Sequence, residues 1–197
     1  MPIWTLAASF LLAAQGAPAL PPLAPEPSAF DAVAADVAFV TDVCYRLTTG
    51  ELRWGPRDIN EEMALVEAAG LTYGVPNGVI DTIGPAGRVS VNRATMASRS
   101  RDGFHVIMTI GGQVPGCRVL LAGDNTPGMA DALAAPLVAG GWTALDAFTS
   151  TQETFEQRLF LRFREGRWYQ LNLALRTDHA DALRVLIGVS PAANGPG

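Results

Sequence analysis

The sequence predicts an α+β fold: an antiparallel sheet of about five to six strands, with two N-terminal helices and one middle helix packed on one face. Three observations carry that expectation. Apolar residues recur at three- and four-residue steps early in the chain, the period changes to two further on, and neighbouring period-two runs are joined by short Gly-containing loops. Such loops make hairpins, so the strands they join are antiparallel. With 197 residues, 49% of them hydrophobic, the chain suits one domain with a sizeable core and is short for two.

The chain opens MPIWTLAASFLLAAQGAPA, an apolar run from Trp4 to Ala14 followed by small residues at Ala17 and Ala19, the spacing of a signal-peptidase site. Residues 1–19 therefore read as a signal peptide; cleavage after Gly16 and retention as an interfacial helix are the alternatives. Residues 20–28, LPPLAPEPS, hold four prolines and read as an extended linker. Residues 29–197 are the expected α+β domain. Ser28 is a good N-cap, and Phe30, Val33, Val37, Val40, Cys44 and Leu47 form one stripe of a helix that runs to Thr48, with Gly50 just beyond. A second helix is expected from Ile59 to Ala69, because Asp58 and Glu61 approximate a capping box and Gly70 supplies the stop. Leu71 to Gly87 is turn-rich and predicts an irregular crossing with at most a short strand.

Strands follow. RVSVNRATMASRS and GFHVIMTIGG flank Arg101-Asp102-Gly103, read as a three-residue loop that pairs Ser100 with Phe104 and sets Ser98, Met96 and Ala94 opposite Val106, Met108 and Ile110. A third strand begins at Cys117. Thr126 and Pro127 start a helix that continues to Gly140, kinked or shortened at Pro136. In FLRFREGRWYQLNLAL a two-residue loop at Glu165-Gly166 sets Leu161 against Gln170 and mixes the faces. A three-residue loop of Arg164, Glu165 and Gly166 pairs Leu161 with Tyr169 and Leu159 with Leu171, and is preferred on that ground. A last strand, Leu183 to Val189, follows the polar corner TDHAD.

That register buries Leu159, Leu161, Phe163, Tyr169, Leu171 and Leu173, and turns Asn172 and, with it, Arg158, Phe160, Arg162, Trp168 and Gln170 to the other face, with Arg162 opposite Trp168; the last five named carry the candidate chemistry. These five are the candidate ligand-binding residues. Arginine supplies planar donors and tryptophan a flat platform, a combination that suits an acidic peptide, a glycan or a small carboxylate; the alternative is an ordinary outward sheet face. Cys44 and Cys117, an even count in an exported chain, are expected to form a disulfide, the alternative being two reduced thiols.

Other chemistries find little to stand on. All 14 basic residues are arginine and the formal net charge is −5, so nucleic acid is not an expected partner. His105 and His179 are the two histidines; the Asp178-His179-Ala180-Asp181 run reads as helix or turn capping, so no metal and no cofactor is expected. No nucleophile elbow, Walker loop or zinc-protease signature is present in the sequence. The expected protein is periplasmic or secreted, not membrane-embedded after signal removal, and a non-catalytic binding or accessory module of the cell envelope. The alternatives are a small hydrolase-like enzyme using His105 or His179, and a structural or assembly protein using an exposed sheet edge, with the last strand as the candidate edge.

Overall fold

The computed structural model describes residues 29–53, 59–111, 116–151 and 154–193. The expected signal peptide, linker and the caps at Ser28 and Asp58 lie outside the described residues. In chain order the elements are α1 (Ala29–Thr49), α2 (Ile59–Ala68), β1 (Thr72–Tyr73), α3 (Val79–Thr82), α4 (Gly84–Val91), β2 (Thr95–Arg101), β3 (Phe104–Ile110), β4 (Cys117–Ala122), α5 (Met129–Ala139), β5 (Thr143–Thr151), β6 (Phe155–Arg164), β7 (Arg167–Arg176) and β8 (Leu183–Pro191). The fold is α+β, with one antiparallel sheet of eight strands in the order β1-β2-β3-β4-β8-β7-β6-β5.

The two N-terminal helices end where the glycines require. Gly50 (φ +79°) and Gly70 (φ +72°) take left-handed conformations that stop α1 and α2. The α1 stripe meets one face of the sheet: Val33, Val37, Val40 and Cys44 pack in a common core with Val106, Val119, Ile187 and Leu171, and Leu133 and Leu137 of α5 join it. Cys44 on α1 and Cys117 at the start of β4 are bonded as a disulfide, their Cα atoms 5.5 Å apart. The other face is covered in part. Val79, Ile83 and Val91 of α3 and α4 close over Ile107, Leu120 and Leu183, a second, smaller core.

Those short helices are a departure from expectation, since residues 88–91 were assigned to a strand and are the end of α4. Four residues of alternating apolarity fit one turn of helix as well as a strand, and Pro85 in the first turn tips the balance to helix. The middle helix starts at Met129, after a left-handed Gly128, rather than at Pro127, and it runs through Pro136 to Ala139. Strand β8, expected as an exposed edge, lies between β4 and β7 at the centre of the sheet; the edges are β1 and β5. Its residues are apolar on both sides, with Val185 and Ile187 in the larger core and Leu183 in the smaller, which is the composition of a central strand.

Both hairpin registers also differ from expectation, and for one reason. In β2–β3 the loop is Asp102-Gly103 and Arg101 pairs with Phe104; in β6–β7 it is Glu165-Gly166, with Leu161 opposite Gln170 and Arg162 opposite Tyr169. All four loop residues have positive φ (49° and 81°, 50° and 77°), the two-residue turn whose twist matches that of the flanking strands. The expected three-residue loops assumed one greasy and one wet face. Here the helix side accepts arginines at the hairpin tips because α1 provides carboxylates and aromatic rings to receive them.

The two hairpins carry the same sequence pattern, Arg-x-Arg-acid-Gly, at Arg99 to Gly103 and at Arg162 to Gly166. Arg99 and Arg101 both pair with the buried Asp36 of α1, at 3.2 and 2.7 Å, and Arg99 also lies over the Phe39 ring. Arg162 pairs with Asp42 further along the same helix, and Arg164 with Glu51 just beyond its C-terminal Gly50. In the sheet order the two hairpins stand on opposite sides of the central β4–β8 ladder, β2–β3 on one side and β6–β7 on the other.

Candidate functional site

The corrected register divides the five predicted ligand-binding residues between the two faces. Arg158, Phe160 and Arg162 turn to the helix side and are occupied there. Arg158 bonds Asp131 of α5 and Glu156, each at 2.8 Å. Phe160 is fully buried in the larger core. Arg162, expected to stack on Trp168, instead places its guanidinium 4.5 Å from the centre of the Tyr45 ring and 3.6 Å from Asp42. Burial holds the Tyr45 hydroxyl above the ordinary tyrosine range, outweighing the neighbouring charges of Arg162 and Arg164. Trp168 and Gln170 remain together on the opposite face, with Trp168 stacked at 5.0 Å on Phe163, which is 56% exposed where burial was expected.

On that second face, beyond the reach of α3 and α4, the rungs of β4, β8 and β7 form a trough of about 270 Å³. Arg118, Gly188 and Asn172 lie side by side across three strands, and Gln170 and Ser190 form the next rung. The Gln170 side-chain amide donates to Ser190 Oγ at 3.1 Å. Gly188 shapes the trough: a Cβ built there meets no atom within 4 Å, so the missing side chain leaves open space between its neighbours. Its φ is not in the left-handed region, and the space, not the backbone, is what the glycine provides.

Arg118 gives the trough its charge. It is half-buried, and burial lowers its pKa from the usual arginine range. Other partly buried arginines are matched: Arg158, Arg162, Arg164 and Arg176 to carboxylates, the buried Arg184 to the carbonyls of Gly123, Asp178 and Asp181. Arg118 makes no ion pair or hydrogen bond to a described residue through its guanidinium. A desolvated cation beside two amides and a hydroxyl can take the two oxygens of a carboxylate, exchanging a poorly hydrated charge for charge-assisted hydrogen bonds. Its signal in the sequence was slight: a single charge in CRVLLA, which reads as interruption of a buried strand unless the opposite Gly188 is known.

The histidines contribute nothing comparable. His105 Nδ1 meets Ser100 Oγ at 2.8 Å across the β2–β3 pair, in an exposed position where the hydroxyl stays hydrated. Ser100 borders an open cavity with Ser98 and the 72–76 segment, to which the imidazole does not contribute. His179 is exposed in the polar corner beside Arg176, Asp178 and Asp181, whose charges satisfy one another. Among the described residues no group of three or more His, Cys, Asp or Glu side chains is placed to hold a metal ion.

Fold and trough together describe an α+β protein with a disulfide-tied helix layer and a partly open sheet face carrying one unmatched guanidinium. The chain matches no protein-family model, no curated protein and no solved structure at a significant level.

Proposed function

We propose that the protein is an exported, non-catalytic binding module of the cell envelope that recognises a carboxylate-bearing ligand in the Arg118 trough. The observation that carries the reading is the half-buried Arg118 guanidinium without a partner among the described residues, flanked by Asn172, Gln170 and Ser190. Burying a cation unmatched is costly, and a fold that matches its other buried arginines keeps this one for a ligand. The disulfide supports an oxidising compartment, and no helix among the described residues is long and apolar enough to cross a membrane. Trp168, two residues along β7 from Gln170 on the same face, offers a flat surface to the body of the ligand.

The test is calorimetric titration with a short acidic peptide, an oligogalacturonide and a small dicarboxylate, on the native chain and on Arg118→Ala and Gly188→Val. Arg118→Ala removes charge-assisted hydrogen bonds worth about 1.5–3 kcal/mol, a loss of roughly ten- to a hundredfold in affinity. Gly188→Val fills the open space with a strand-favouring side chain and blocks the site with the fold intact. Failure of all three probes to saturate the native chain, or affinity in both variants equal to that of the native chain, refutes the proposal.

A further inference from the structure

A second cavity lies on the helix side, far in character from the trough. It occupies about 400 Å³ between α1, α2 and the 50–53 segment, within the range that encloses small ligands. Phe39, Val43, Leu47 and Leu65 line its walls and Met108 of β3 its floor. The space exists because the wall contributed by the end of α2 is Ala68, Ala69 and Gly70, which do not reach across to α1. Phe39 and Leu65 are each 41% exposed, so apolar surface is left facing the cavity and not only buried behind it.

The rim is charged, and unevenly so. Asp42 is engaged by Arg162 and Arg46 by Glu51, whereas Arg53, exposed at the mouth, makes no ion pair with a described residue. We infer that this cavity binds a small amphipathic anion, an apolar body seated between Phe39, Leu65 and Met108 with its charged head at Arg53. Charge complementarity selects this occupant: an uncharged apolar molecule leaves Arg53 unused, and a cation meets Arg46 and Arg53 together. The inference is independent of the trough, which lies on the other face of the sheet.

Decanoate, below its micellar concentration, is the probe, with decanol as its uncharged counterpart, and binding is read by calorimetry and by methyl chemical shifts of Leu65 and Met108. The native chain takes up one decanoate per molecule and binds decanol about threefold more weakly, the worth of one exposed ion contact. Arg53→Ala removes that difference by weakening decanoate alone. Ala68 is exposed on α2, so Ala68→Trp fills the mouth without entering the core; it abolishes uptake of both probes while the circular dichroism spectrum is unchanged. Arg118→Ala leaves decanoate binding as it was, which separates this site from the trough. The inference is overturned by absence of saturable binding, by equal affinity for decanol, by uptake that survives Ala68→Trp, or by loss of decanoate binding in Arg118→Ala.

Discussion

Reduction of the Cys44–Cys117 disulfide is expected to lower stability by about 4 kcal/mol, and the structure says where that energy comes from. The bond closes a loop across a sequence separation of 73 residues, and the loss of unfolded-chain entropy for a loop of that length is about 4 kcal/mol at 25 °C. Both sulfurs sit in the larger core, Cys44 fully buried and Cys117 nearly so, on two elements that the other apolar side chains of that core also hold together. Reduction therefore acts mainly on the unfolded ensemble and leaves native packing close to its oxidised form. With a urea dependence of about 2–3 kcal/mol per molar, the unfolding midpoint falls by roughly 1.5–2 M. The assay is a urea titration followed by circular dichroism and tryptophan fluorescence on oxidised chain, reduced chain and the Cys44→Ala/Cys117→Ala double variant. The double variant falls further than the reduced chain, because it also removes two sulfur atoms from a packed interior. A midpoint that moves by less than about 0.5 M on reduction refutes the loop-entropy reasoning.

Two further outcomes follow from the paired arginines on the two faces of the sheet. Arg162→Ala removes the stack on Tyr45 and the contact with Asp42, and is expected to cost about 1 kcal/mol in a urea titration; an outward-facing arginine, as the alternative register has it, costs less than about 0.5 kcal/mol. Glu51 and Asp178 are held below the ordinary carboxylate range, chiefly by hydrogen bonds from Arg164 and Arg176 respectively. Each binds its proton more weakly when folded, so the stability it contributes is complete above about pH 4.5 and is lost as pH falls through the depressed folded values. Glu51→Gln/Asp178→Asn should flatten the acid limb of the stability profile, measured as the urea midpoint against pH; an unchanged limb counts against these pairs.

How far the sequence could be read depended on which forces acted locally. The helix stripe from Phe30 to Leu47, the stops at Gly50 and Gly70, and the pairing of Cys44 with Cys117 were legible because period, backbone freedom and cysteine count each point one way. Short β5 and β1 pairings and the α3–α4 turns were not, since their apolar runs are too brief to show a period. The hairpin registers failed more instructively. Alternation was read as one buried and one wet face, yet Leu161 is buried on the side opposite the large helices while Arg162 lies beneath them. Only the knowledge that α1 and the turn after it present Asp36, Asp42 and Glu51 to the hairpin tips makes that arrangement intelligible, and those carboxylates belong to a segment more than a hundred residues away from Arg162. The turn chemistry was the better guide: Asp-Gly and Glu-Gly favour two-residue loops whatever the faces hold. Of the five expected residues, Gln170 and Trp168 share one surface, and in the proposed site Arg118 stands in place of Arg162.

The position of β8 has a consequence for the order in which the molecule can be completed. It is the last strand among the described residues, and it lies inside the sheet, flanked by β4 and β7. Most other strand partners are near neighbours in sequence, joined by a hairpin or a short corner, and β1 and β2 are separated by α3 and α4, whereas Cys117 and Val189 meet across 72 residues of chain, from one half of the sheet to the other. A chain emerging from its N-terminus can thus pair β2 to β4 and β5 to β7 early, but β4 and β7 stay bare along the edges that β8 will fill. Until Leu183 to Pro191 is available, the molecule carries two open, apolar strand edges at what will become its centre. The bond from β4 to α1 lies on one of those waiting edges, so oxidation before β8 arrives would hold half of the gap in register for the strand that closes it.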